Sequence, residues 1–336
     1  MTVITDTMPA WRQHRYGDVD AVAREEAPVL APRRGEVLIR LRATALNNGD
    51  IRVMRGEPLL VRAAFGLRRP RQAIRGMDAA GTVVALGEAV TGLAVGDEVV
   101  GELPGGGLAQ YAVAPASRLV PLPAALDPEV AATLPVAGGT AWQALERGGA
   151  GAGRRVLVIG ASGGVGTFTV QLAALRGAEV WALCGERSRE LVDALGAVRT
   201  FDYRHVAAAD LPAASFDVVI DIAGTAPLRT LRRLVRDGGA VVMVSGEGGR
   251  VLGPVGRLLG GAVLSIGSRR KMRMLAATAD AVVLRELVDL VAGGRLRPVL
   301  ERVYDFDEAD AALAHVATGH TVGKVVVRAV DPLAGG

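Results

Sequence analysis

In the first third of the chain apolar and polar residues alternate; from about residue 127 they separate into solid apolar runs and helical stripes. Residues 36–45 (EVLIRLRATA) alternate as a half-buried strand does, and 81–86 and 98–100 look similar on either side of the turn Val95-Gly96-Asp97. Residues 110–114 and 118–121 continue the pattern. Short strands at this spacing, joined by glycine-rich turns, predict a barrel-like or folded-over sheet. A helix is expected over 128–145, interrupted near 135–139. Beyond it strands and helices alternate. Residues 155–159, 179–183, 216–222, 240–244 and 263–266 read as strands. Residues 164–176 and 187–195 read as helices, each stopped by a glycine, Gly177 and Gly196. Apolar strands alternating with helices predict a parallel, doubly wound sheet. The last part carries a helix over 279–292, a strand over 300–304, a helix over 308–318 and a strand over 324–327, which is suited to rejoin the first sheet.

A chain of 336 residues is too long for one ordinary core. The pattern divides it into a first domain, 1–126, completed by 295–336, and a second, 127–294. Charge excludes some partners: 39 Lys and Arg against 35 Asp and Glu give a net charge of +4, with no run resembling a nucleic-acid tail. The N-terminal residues contain Asp6 and no apolar core, so no signal peptide is expected. No stretch approaches the ~20 apolar residues of a membrane span. One cysteine, Cys184, excludes an internal disulfide. The expectation is a soluble cytoplasmic protein.

The strongest local signal is 156–166 (VLVIGASGGVG), an apolar strand running into a glycine-rich turn that opens a helix. That context makes it a dinucleotide-binding turn. Against the pattern G-x-G-x-x-G, Ala161 stands first, Gly163 second and Gly166 third. Gly163 lets backbone N–H groups approach a pyrophosphate, Gly166 lets the helix pack close to the strand, and the helix N-terminus adds partial positive charge. Ser162, Gly163, Gly164 and Val165 are therefore expected cofactor contacts. The next apolar strand decides which cofactor. An NAD site places an acid at its end for the ribose 2′-OH; here Cys184-Gly185 stands there, followed by Arg187 and Arg189. Guanidinium suits a 2′-phosphate, and Tyr203, ending the following strand, is placed to reach the same group. Gly185, Arg187, Arg189 and Tyr203 thus point to NADPH. Glu186 is the dissenting residue, favouring NADH if it faces the ribose.

Over nearly its full length the sequence resembles the medium-chain dehydrogenase/reductase superfamily, and within it the zinc-independent quinone oxidoreductase branch that includes zeta-crystallin-like proteins. The matching segments run in order: 45–56 (ALNNGDIRVMRG), 76–84 (GMDAAGTVV), 87–101, 134–142 (LPVAGGTAW), 160–166, 195–203 (LGAVRTFDY), 217–224 (DVVIDIAG) and 323–327 (GKVVV). The resemblance implies a GroES-like β-barrel domain, a Rossmann domain and an active site in the cleft between them. It also implies a homodimer paired across a Rossmann sheet edge, through 263–268. It places Asn47 and Asp50 beside the nicotinamide as candidate catalytic residues. Thr140, Lys324, and Ser245 with Gly246 just past a strand end, are further cofactor candidates.

Metal chemistry fits the chain poorly. Zinc takes about four N, S or carboxylate ligands. Where zinc-dependent members of the superfamily have Gly-His-Glu, this chain has Gly76-Met77-Asp78, and histidines 14, 205, 315 and 320 form no pair with ligand spacing. No metal site is expected. Hydride transfer to a quinone or an α,β-unsaturated carbonyl needs no metal, because the acceptor is already electrophilic. Many relatives have an aromatic residue just after the matching Asp, in some a tyrosine acid; here Ile51-Arg52 follow. Two alternatives remain open: a zinc-free alcohol or ketone oxidoreductase, and an NADPH-binding protein without turnover. Residues 59–71 (LLVRAAFGLRRPR) read either as a flap over the substrate or as a basic surface helix.

Overall fold

The computed structural model describes residues 6–244 and 255–330. The chain folds into two compact units, one formed by 1–136 with 279–336 and the other by 137–278.

The first unit is built on strands β1 (Thr7–Gln13), β2 (Val22–Pro28), β3 (Glu36–Leu46), β4 (Asp78–Leu86), β5 (Glu98–Glu102), β6 (Tyr111–Pro115) and β7 (Leu119–Pro121), with helices α1 (Asn48–Arg55), α2 (Val61–Phe65) and α3 (Pro128–Ala131). Residues 134–138 form a π-helical turn, where the sequence predicts an interruption. Strand β3 is the spine. It pairs antiparallel with β4 along most of its length and with β6 over its first half. Its even alternation predicts one wet face, yet Val37, Leu38 and Ile39 are all buried. The reason is a second layer. Val37, Ile39 and Leu41 face a core with Ala79, Val83, Val99 and Leu103, while Leu38 packs with Met8, Ala10, Ala27 and Tyr111 under the β1–β2 hairpin.

The end of the chain returns to this unit as β14 (Leu300–Tyr304) and β15 (Lys324–Arg328), with α9 (Ala281–Ala292) and α10 (Ala309–Ala317) numbered after the helices of the second unit. β15 runs antiparallel to the end of β3, in the register Val325↔Leu46. The domain boundaries differ from those read in the sequence. Both α3 and α9, expected with the second domain, belong to the first unit. α9 buries Val283, Leu284, Leu287 and Val288 and packs against β7.

The second unit is a six-stranded sheet, all parallel, of β8 (Arg155–Ile159), β9 (Glu179–Cys184), β10 (Arg199–Asp202), β11 (Phe216–Asp221), β12 (Val235–Met243) and β13 (Lys271–Met274), in the order β10-β9-β8-β11-β12-β13. Helices α4 (Gly139–Gly148), α5 (Gly164–Leu175), α6 (Arg189–Ala194), α7 (Leu228–Leu234) and α8 (Val255–Ser265) connect and cover it. Strand order reverses at β8, so the turn after β8 lies at the topological switch point, where such sheets bind ligands.

One strand expectation fails. Residues 263–266 are not a strand: 263–265 end α8, and the sheet's edge strand is β13, a few residues on. A short apolar run does not distinguish a strand from a buried helix segment by itself. A sheet-edge pairing through 263–268 therefore has no strand to use. Among the described residues no helix is long and apolar enough to cross a membrane.

Candidate active site

Three segments far apart in sequence meet at one end of the barrel: the end of β3, the start of β4 and the start of β15. Thr44 Oγ1 donates to the Asp78 carbonyl at 2.6 Å, which ties β3 to β4. The β15 register brings Lys324 beside Asn47. Lys324 is 2% exposed and Asp78 is fully buried. Lys324 Nζ donates to Asn47 Oδ1 and, at 3.2 Å, to Asp78 Oδ2. Asn47 Nδ2 donates to the same Asp78 Oδ2 at 2.8 Å, and Val136 N–H donates to Asp78 Oδ1 at 2.9 Å. Burial pushes the Asp78 carboxyl above the usual carboxylate range, opposed by the Lys324 charge and by these hydrogen bonds. Asn47 and Lys324, read separately in the sequence, are thus one network, and Asp78 is the member that sequence reasoning missed. Its one signal was its place in Gly76-Met77-Asp78. The amide of Asn47 is engaged at both ends within the protein.

Asp50 has a different task. Its Oδ2 accepts from Asn47 N–H and its Oδ1 from Gly76 N–H, both at 2.9 Å. It closes the N-terminus of α1 and clamps it to the loop before β4, as an N3 acid commonly does. Burial pushes its carboxyl up to about 6, with the Asp78 charge adding to the push and the two N–H groups and the Arg75 charge opposing it.

Residues 59–71 contain the short α2 and a turn held by Tyr16, whose hydroxyl donates to the Gly66 carbonyl at 2.5 Å. The Arg62 guanidinium lies 4.5 Å from the Tyr16 ring centre and donates to the Gly56 carbonyl at 3.0 Å.

In the second unit, Gly160 follows β8 at a φ of 87°, in the left-handed region that glycine adopts without strain. A Cβ on Gly166 would lie 2.2 Å from the Gly160 carbonyl oxygen, so the close seat of α5 on the turn requires that glycine. Gly163 differs: a Cβ there would meet nothing nearer than that oxygen, at 3.9 Å. The chain's own packing leaves its side open, which is the clearance a pyrophosphate needs above a helix N-terminus. Ser162, Gly163, Gly164 and Val165 are all partly exposed. Thr140 stands in the first turn of α4, which packs on α5.

At the end of β9, Cys184 is buried, and burial pushes its thiol up to about 11. Gly185 follows, and a Cβ on it would sit 3.5 Å from Arg204 Nη1 and 3.6 Å from Tyr203 Cε1. The Arg204 guanidinium lies 4.9 Å from the Tyr203 ring centre. Arg189 turns away to Glu186, at 3.1 Å, and to Thr200 Oγ1, at 3.4 Å. The pair occupies both the arginine expected on a 2′-phosphate and the acid that argued against one. Arg187 is exposed. Arg204, missed in the sequence although it adjoins Tyr203, stands with Tyr203 beside Gly185. The expected contacts Ser245 and Gly246 lie outside the described residues.

Among the described residues no group of three or more His, Cys, Asp or Glu side chains is arranged to hold a metal. A profile for the alcohol dehydrogenase GroES-like domain matches residues 33–124, and one for zinc-binding dehydrogenases matches 195–327. The described residues offer no ligand set for the metal that the second description names. The chain is 33% identical, over 95% of its length and 98% of the relative's, to a chloroplast envelope quinone oxidoreductase homolog of Arabidopsis thaliana. It is 32% identical to an NADPH-dependent alkenal/one oxidoreductase of the same plant, over 96% of this chain and 80% of that one. The solved quinone oxidoreductase of Coxiella burnetii matches with a TM-score of 0.86 at 26% identity, covering 96% of this chain and all of that one.

The Asp50 carboxyl supports a stability prediction. An acid whose folded pKa is raised binds protons more readily when folded, so its ionisation disfavours the fold. The effect is absent below about pH 4 and complete above about pH 6, and a rise from 3.8 to about 6 amounts to about 3 kcal/mol. Measured by denaturant unfolding, wild type should lose stability relative to Asp50→Asn as pH rises from 4 to 7. A flat difference would show that Asp50 does not titrate there.

Proposed function

The chain belongs to the quinone oxidoreductase branch of the medium-chain dehydrogenase/reductase superfamily, and we propose that it is an NADPH-dependent reductase of quinones or α,β-unsaturated carbonyls that works without a metal. The observation that carries the reading is the β8 turn at the switch point, with Gly163 open on its ligand side and Tyr203 and Arg204 gathered at Gly185. Relatives named for quinones and for NADPH-dependent reduction of alkenals and enones support the substrate class.

In this reading NADPH supplies the hydride. With a proton from solvent, that hydride would convert a quinone to its hydroquinone, or an enone to the saturated carbonyl with hydride at the β-carbon and proton at the α-carbon. Ser162, Gly163, Gly164, Val165 and Thr140 line the dinucleotide, and Gly185, Arg187, Tyr203 and Arg204 receive the 2′-phosphate. Tyr203 offers its ring and hydroxyl, and Arg204 a fork of donors. Ser245 and Gly246 remain part of the proposed cofactor set from their place in the sequence. Asn47 stands beside the reacting carbonyl as a positioning residue, its Nδ2 donating to Asp78 and its Oδ1 accepting from Lys324. Asp50 shapes the loop that holds Asn47 and takes no proton from the substrate. A rigid polar group of this kind contributes by orientation, which is what an already electrophilic acceptor requires.

The proposal extends to a homodimer in the cytoplasm. Leu259, Val263 and Ile266 are exposed at i, i+4 and i+7 on and just past α8, and among the described residues β13 is the last strand of the sheet on that side. Both features suit a second copy. The single cysteine, buried and unpaired, suits a reducing compartment.

Three measurements test these points. With a panel of quinones, enones and ketones, NADPH oxidation should be fast for the first two and slow for ketones, with kcat/KM at least tenfold better for NADPH than for NADH. Arg204→Ala should lower the NADPH value roughly 10- to 100-fold, as loss of a charge-assisted contact does, and leave NADH use unchanged. Equal use of NADH by wild type would overturn the phosphate assignment, and binding without turnover on any acceptor would overturn the reductase. Dialysis against a strong chelator should leave turnover intact and zinc far below one per chain; loss of activity restored by zinc would sink the metal-free mechanism. Light scattering should give a dimer mass for wild type and a monomer for Leu259→Glu/Val263→Glu, whereas a wild-type monomer at micromolar concentration would remove the dimer.

A further inference from the structure

We propose that the parallel-sheet unit carries a second, separate anion site, which takes a small polyphosphate such as pyrophosphate. It is an open surface pocket of about 360 Å³ lined by Arg229, Arg232, Arg233, Asp237, Ser268 and Arg270. That volume is at the small end of ligand pockets. Asp237 lies near the amino end of β12, and Ser268 and Arg270 just precede β13. Because every strand of the sheet runs the same way, this edge is opposite the carboxyl ends that carry the 160–166 turn. The inference does not rest on the reductase reading.

The arginines are arranged rather than scattered. Arg229, Arg232 and Arg233 stand at i, i+3 and i+4 on α7, which puts them on one face, where like charges repel. Arg232 and Arg233 also answer the negative end of the helix dipole. Arg229 does not: it sits in the first turn, at the positive end, where a cation is disfavoured. Two of the guanidiniums are already fixed. Arg233 Nη2 donates to the carbonyls of Ala209 and Leu211, at 2.5 and 2.9 Å. Arg270 Nε donates to Asp237 Oδ1 at 2.9 Å, and the Arg270 N–H donates to Ser268 Oγ at 3.1 Å. Ser268 accepts in that bond and keeps its own proton to donate. Asp237 is thus spent on Arg270, and among the described residues Arg229 and Arg232 pair with no acid. Four guanidiniums against one carboxylate leave a concave, net positive site whose self-repulsion an anion would relieve. Forked donors carried on two elements of the lining suit the oxygens of adjacent phosphates better than a single carboxylate.

The test is titration calorimetry of inorganic pyrophosphate into the full-length protein, with NADPH present in excess so that the cofactor turn is filled. Wild type should bind one pyrophosphate with a submillimolar Kd, and Arg229→Gln/Arg232→Gln should bind at least tenfold more weakly. Arg229→Lys/Arg232→Lys, which keeps the charge and loses the fork, should fall between them. NADPH binding, followed by its fluorescence, should be the same in all three and shows that the variants are folded. Identical pyrophosphate isotherms in wild type and the Gln variant would overturn the site. So would a thermal stabilisation by pyrophosphate that chloride at matched ionic strength reproduces.

Discussion

The ammonium of Lys324 and the carboxylate of Asp78 meet in the wall of the barrel, where neither reaches solvent. Taking two such charges out of water costs several kcal/mol each, and removing one partner typically costs about 3–5 kcal/mol because the other is left buried and alone. The pair is tolerable only if every remaining polar position is filled. Asn47 fills two of them, one on each charge, and the Val136 N–H fills another. This requirement dictates the barrel's geometry at that end. β15, from the end of the chain, must lie against β3 in a register that delivers Lys324, and β4 must begin where Asp78 faces it. Asp50, held by the N–H groups of Asn47 and Gly76, then fixes the loop around the same point.

The parallel-sheet unit meets a constraint of another kind, that of space. Gly166 is demanded by the chain itself, since α5 rests on the Gly160 carbonyl. Gly163 is not: a Cβ there would meet nothing nearer than 3.9 Å. The same contrast holds at the end of β9. There Gly185 leaves the side chains of Tyr203 and Arg204 close at hand, while Arg189 and Glu186 neutralise each other a turn away. Polar restraint in one unit and clearance in the other are both forms of preorganisation, which is what a reaction governed by positioning needs.

Periodicity carried most of the fold. The apolar strands 155–159 and 300–304 are found at those bounds, and the glycine-stopped helices lie within two residues of their expected ends. It failed at 263–266, where an apolar run rich in small residues serves a helix as well as a strand. It also misjudged β3, whose alternation conceals burial on both faces, because the covering β1–β2 hairpin is a tertiary partner that no local pattern announces.

The sequence by itself determined the two architectures and the glycine-rich turn after the first parallel strand, because each is written in short-range spacing. It did not determine which polar residues act together. Asn47, Asp78 and Lys324 are separated by most of the chain, and Arg204 becomes relevant only because β10 lies beside β9. Partnership between charges is set by distance in space and by exclusion of water, and strand register decides both. Tertiary structure therefore joined Asn47 to the buried Asp78–Lys324 pair and set Arg189 against Glu186.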